Sequence, residues 1–230
     1  LQACHFVATV IISVALWQAV VFAIACFGFI DNKYKELLIY EKKYIPFNLD
    51  DILDIANDAV VARVAESGKK LDDETIKSIA LAAVKFNDLL HDVKSDYIFD
   101  PSSITSFEGK TGPYILYTAV RLNSVMKRAN TEITKPESFD LSVEERNLLI
   151  EIMDFEHTIL SAYDNRATDM IANYAYDLCQ LVNNFYHNCP ILRDDITPDI
   201  KAGRLYIAKL AFDTLSTAID LMGLKIPDEM

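Results

Sequence analysis

The run from Tyr174 to Leu192, YAYDLCQLVNNFYHNCPIL, most limits what this chain can fold into. Leu178, Leu181, Val182 and Phe185 recur at helical spacing, which predicts an amphipathic helix with one buried face. Pro190, just past the last turn, is a stop signal. Tyr174, Tyr176 and Tyr186 add rings with a polar tip, which pack on one side and can stack on a flat ligand from the other. On pattern alone, burial in a core accounts for these rings.

The remaining composition points the same way. The chain has 230 residues, enough for one large domain or two small ones. With only 6 glycines and 7 prolines it has few tight turns, and the 51% hydrophobic fraction suits a packed helical globule. Cys4, Cys26, Cys179 and Cys189 form no CxxC pair and no zinc spacing, so they read as reduced core thiols of a cytoplasmic protein. A net charge of −12 argues against a broad grip on DNA but leaves room for a local basic strip. The chain begins at Leu1 rather than Met, the expectation for a fragment or a processed product.

Residues His5 to Ile30 are apolar and without formal charge, long enough for a bilayer, which needs about 20 such residues. Three readings stand: a membrane anchor flanked by Lys33 and Lys35, a buried strand followed by a helix, or a mis-read start. The β-branched Val7, Val10, Ile11, Ile12 and Val14 favour a strand, and Gln18 is awkward in lipid. After an irregular segment to Asn48, a helix is expected from Asp50 to Ser67, capped by Asn48 or Asp50 and stopped at Gly68. Asp72-Asp73-Glu74 opens a second helix reaching about Val93. Ser95 to Pro113 reads as a long connection pinned by Tyr97, Phe99 and Phe107. Four helices follow: Tyr114 to Asn130; one opened by the capping box Ser142-x-x-Glu145 and ending near Asn165; Ala167 to Asn188; and one from Thr197-Pro198 to about Met222, with Gly223 at its end. They predict a bundle.

Few residues carry catalytic chemistry. Glu151, Asp154 and His157 have the spacing of half a carboxylate-bridged metal site, but no second motif matches, and a solvated acidic face explains them better. His187-x-Cys189 is at best half a site. Neither a hydrolase triad nor a glycine-rich phosphate loop can be assembled. Arg121, Lys127 and Arg128 fall at i, i+6 and i+7, within about 120° of one another around a helix. Arg193, Lys201 and Arg204 flank the last loop. Such a strip suits a few phosphates, although scattered surface cations give the same pattern.

From about Leu49 to Met230 the sequence resembles the C-terminal part of a class I arginyl-tRNA synthetase. The segments FNLDDILDIAND, AAVKFNDLL, SDYIFDPSSITSFEGKTGPYILYTAVRLNSVMKRA, YAYDLCQLVNNFYHNCPIL and RLYIAKLAFDTLSTAIDLMGLKIPDEM carry the likeness, in the family's order. The resemblance implies a mainly α fold. Residues 111–230 would be the all-helical anticodon-binding domain, and 49–110 a helical linker. Residues 1–48 would be a remnant of the nucleotide-binding α/β catalytic domain or a membrane-like apolar segment. It implies arginine tRNA as partner and a monomer. Tyr186 and Met230 would face the anticodon loop, with its middle cytosine, and Arg121 would hold the backbone nearby. Tyr117, Asn184, Arg204, Lys127 and Arg128 would line the same surface. This matches how RNA loops are read, by bases splayed onto rings with arginines on phosphates.

The family's first ATP signature, His-x-Gly-His, is absent. Where the second should lie, the chain reads YEKKYIPFN, so Lys42 and Lys43 are degenerate remnants without the Ser, Thr or Gly of a phosphate-holding loop. ATP and magnesium therefore belong to the parent reaction, and this chain is expected to bind tRNA without catalysis. The alternative is a non-catalytic synthetase-like assembly protein with an N-terminal anchor.

Overall fold

The computed structural model describes residues 48–230, apart from 69, 93, 96, 98, 137, 138 and 194. The apolar run at 5–30 and Lys42 and Lys43 lie outside the described residues. Every regular element among the described residues is a helix: α1 (Leu49–Ser67), α2 (Asp73–Leu90), α3 (Pro101–Ile104), α4 (Gly112–Ala129), α5 (Val143–Asn165), α6 (Asp169–Asn188) and α7 (Pro198–Leu221).

Local chemistry sets most of the boundaries. Asn48 caps α1 in a reciprocal box: its Oδ1 accepts from Asp51 N at 2.8 Å, and the Asp51 carboxylate accepts from Asn48 N at 3.0 Å. Gly68 closes α1 at φ +70°, a left-handed conformation that glycine adopts without a Cβ penalty. Asp72 caps α2 through Thr75 N, and the same hydrogen bonds hold its carboxyl below the usual carboxylate range. Helix α2 stops at Leu90, three residues before the expected end. The reason is His91: it turns extended, its Nδ1 lies 2.7 Å from the Asn87 carbonyl, and the Tyr97 ring stacks on it at 4.5 Å.

The connection to α4 is pinned by rings, as expected for Tyr97 and Phe107, and also by Arg63. Its guanidinium donates to the Ser102 carbonyl and to the buried Thr105 hydroxyl. Phe107 packs on a small apolar cluster made by Ala56, Val60 and Val64 of α1 with Ile76, Ile79 and Ala80 of α2.

The large cluster joins α2, α4, α5, α6 and α7 around Phe86, Ile115, Leu148, Leu178, Phe185 and Leu215. At its centre α6 buries Leu178, Val182 and Phe185, the face its periodicity predicts, with Leu181 packed alongside. Burying side chains of this size contributes about 1.5–3 kcal/mol each. Cys179 is wholly buried there, and burial pushes its thiol well above its ordinary pKa. Lys110 meets Asn173 near one end of the α4–α6 pair and Arg121 meets Asn183 towards the other, so these helices run parallel. Helix α5 runs antiparallel to α6, with Ser142 beside Cys189 and Glu151 beside Tyr174.

Helices α2 and α4 approach most closely at Gly112, where an added Cβ would collide with the Ala82 carbonyl. Alanine normally stabilises a helical position by about 0.5–1 kcal/mol over glycine. Here the obstacle is backbone that cannot swing aside, so overpacking dominates. Gly112→Ala should lower stability by roughly 1–3 kcal/mol, read as a lower urea midpoint at unchanged slope.

Candidate functional site

The groove between α4 and α6 gathers the chain's polar rings and amides. On α6, Asn173, Tyr176, Gln180 and Asn183 follow one another at spacings of three and four, so they share a face. On α4, Tyr114 and Arg121 are two turns apart on the opposing side. The Tyr114 hydroxyl accepts from Gln180 Nε2 at 2.9 Å and from Asn183 Nδ2 at 2.5 Å. Partial burial raises the pKa of that phenol, and the Asn183 bond partly offsets the rise. Asn183 Oδ1 in turn accepts from Arg121 Nη1 at 3.0 Å. An amide thus fixes the Arg121 guanidinium in place.

That guanidinium lies over the Tyr186 ring, with Cζ 3.5 Å from the centroid. The contact is a cation–π stack, worth about 0.5–2 kcal/mol depending on desolvation. Tyr186 is half-buried, one side packed against the large cluster. At the other end of the groove, Lys110 sits 5.2 Å from the Tyr176 ring and donates to Asn173 Oδ1. Rings held by cations, with hydrogen-bonding amides between them, form a surface on which a flat heterocycle can stack and an anionic backbone can be held.

The other expected residues are distributed as follows. Tyr117 and Asn184 are exposed on α4 and α6. Lys127 and Arg128 are exposed in the last turn of α4, where positive charge also suits the helix dipole. Met230 is half-buried and packs against both apolar clusters. The tail that carries it is held partly by Lys85, whose Nζ donates to the Gly223 carbonyl at 2.8 Å. Burial lowers the pKa of that lysine.

Arg204 is placed differently from the expectation. Its Nε donates to the Glu145 carboxylate at 2.7 Å and its Nη1 to the Pro190 carbonyl at 2.7 Å. Glu145 is 1% exposed and the arginine side chain 15%, so this guanidinium is engaged inside the protein. Sequence reasoning missed Asn183, Gln180, Tyr114 and Lys110. The spacing of polar residues along α6 was the available signal, but only the packing shows that Tyr114 and Arg121 stand opposite. Among the described residues, no group of three or more His, Cys, Asp or Glu could hold a metal, and no helix is long and apolar enough to cross a membrane.

The described residues thus form an all-helical bundle whose α4–α6 pair presents rings, amides and an arginine on one surface. Residues 115–230 match the DALR anticodon binding domain, and the chain belongs to that family. It is 34% identical over 193 residues to the arginine–tRNA ligase of Alkaliphilus oremlandii, covering 79% of this chain and 32% of that protein. With the arginine–tRNA ligase of Maricaulis maris the identity is 36% over 193 residues, covering 80% and 32%. Among solved structures, the arginyl-tRNA synthetase of Thermus thermophilus superposes with a TM-score of 0.74 at 28% identity, over 80% of this chain and 32% of that one. The chain thus spans about a third of the length of these relatives.

The Arg204–Glu145 pair generates a direct test. Arg204→Ala leaves a buried carboxylate without its counter-charge and should cost about 3–5 kcal/mol, with Glu145→Gln recovering part of the loss in the double variant. An arginine that served RNA alone would leave the melting temperature unchanged when removed.

Proposed function

We propose that this chain binds arginine tRNA through its anticodon loop, as the C-terminal portion of an arginyl-tRNA synthetase. The observation that carries the reading is the Arg121–Tyr186 stack, fixed by Asn183 and Tyr114 on a fold of the anticodon-binding family. A base splayed from the loop stacks against the exposed part of the Arg121–Tyr186 pair. Arg121 lies within reach of the adjoining phosphate, and Tyr117, Asn184, Lys127 and Arg128 extend the contact along the exposed sides of α4 and α6. Met230, at the end of a tail anchored on α2, supplies an apolar surface.

Discrimination falls on the middle anticodon base, a cytosine. Residues 111–230 then form the reading domain, 49–110 its helical linker and 1–48 a remnant of the catalytic domain. The parent reaction is ATP-dependent esterification of arginine to tRNA, with magnesium on the ATP. It belongs to protein synthesis in the cytoplasm, and the chain acts there as a monomer.

Binding of arginine tRNA and of a transcript with its middle anticodon base changed tests this. The native tRNA should bind more tightly, and Tyr186→Ala should remove about 1–3 kcal/mol, a loss of roughly 5- to 150-fold, from the native complex alone. Equal affinity for both tRNAs overturns anticodon reading. An equal loss for both on Tyr186→Ala would make that ring a packing residue.

A further inference from the structure

A second surface, on α5, has the opposite chemistry. Only Glu145, Leu148 and Ala162 of this helix are fully buried. Large apolar side chains face outward instead: Val143 is 70% exposed, Ile150 59%, Met153 79% and Leu160 42%. Their positions, 143, 150, 153 and 160, fall on a heptad seam, whose steps alternate three and four residues, with Arg146 and His157 at the two intervening seam positions. At 1.5 Å per residue the stripe runs roughly 25 Å along the helix, within about 100° of arc. Scattered exposed apolar groups are ordinary, whereas four large ones on one face of a single helix mark an interaction surface.

The borders of the stripe narrow the choice of partner. Asp154 is exposed and Glu151 half-buried on one side, with Asp177 of α6 close to Glu151; Glu156 is exposed on the other. Burial, with the nearby Asp177 and Asp154, raises the Glu151 pKa. Arg146 and His157 lie within the stripe itself. A second copy of this chain would set these acids against their own equivalents, on a molecule of net charge −12. RNA and an anionic membrane are repelled in the same way. An amphipathic helix with basic flanks fits, its apolar seam on the stripe and its lysines or arginines against the acidic borders.

We infer that the outer face of α5 is a docking site for a basic amphipathic helix of a partner protein. Helix α5 packs on α6 and α7, whereas the groove lies between α4 and α6. The partner therefore leaves the groove free, and the site stands whether or not the tRNA reading holds.

The test uses the full chain and a labelled three-heptad peptide with leucine at the seam and lysine at the flanking positions. The control peptide carries glutamate at those flanks. The lysine peptide should bind roughly tenfold or more tightly than the control, with affinity falling as salt rises. Ile150→Lys and Met153→Lys should each weaken it about tenfold while leaving the helical circular dichroism and tRNA binding unchanged. No binding of the lysine peptide, or equal binding of both peptides, overturns the proposal. So does a concentration-dependent dimer that Met153→Lys dissolves, since a second copy would then own the face.

Discussion

Glu145 is the hinge pin of this bundle. One oxygen of its buried carboxylate accepts from Ser142 N at 2.7 Å, completing the cap of α5. The other takes the Arg204 guanidinium of α7, which also binds the Pro190 carbonyl beyond the end of α6. Ser142 Oγ, bonded to Glu145 N, lies 3.3 Å from Cys189 Sγ. Two helices and the loop after α6 thus meet on one charge pair. A buried pair seldom adds much net stability over an apolar replacement, because desolvation offsets its attraction. Its role here is geometric. It permits one relative arrangement of the α5 start, the α6 end and α7, and the end of α6 is where Tyr186 stands.

The aromatic groove depends on that arrangement through α6. The same helix is core on one side, through Leu178, Val182 and Phe185, and site on the other, through Tyr176, Gln180, Asn183 and Tyr186. Close packing leaves such a helix little freedom to rotate, so its polar face is held as firmly as its apolar one. Arg121 is pre-positioned by Asn183, which lowers the entropy lost when a ligand engages it. The outward face of α5 is built on the same scaffold but carries acids at its borders, and this difference in charge separates the two surfaces.

Capping and periodicity were legible without the fold. The box at Ser142 and Glu145, the Thr197 cap before Pro198, and Gly68 and Gly223 at positive φ all stand where local chemistry puts them. So does the buried face of α6. These depend on neighbours three or four residues away, which sequence displays directly. The early end of α2 was not legible, because a ring six residues further on stacks on His91 there.

The sequence by itself determined that the chain is helical, where its bundle helices lie, and which stretch carries the aromatic end of α6. Only the tertiary structure decided what the cations do. Arg121 and Arg204 look alike in sequence, each an arginine near a proposed RNA surface. Folding turns one onto a half-buried ring at the surface and the other onto a buried carboxylate 59 residues away in the chain. That choice rests on long-range packing, where burial makes a paired charge obligatory, and spacing along the chain carries no record of it.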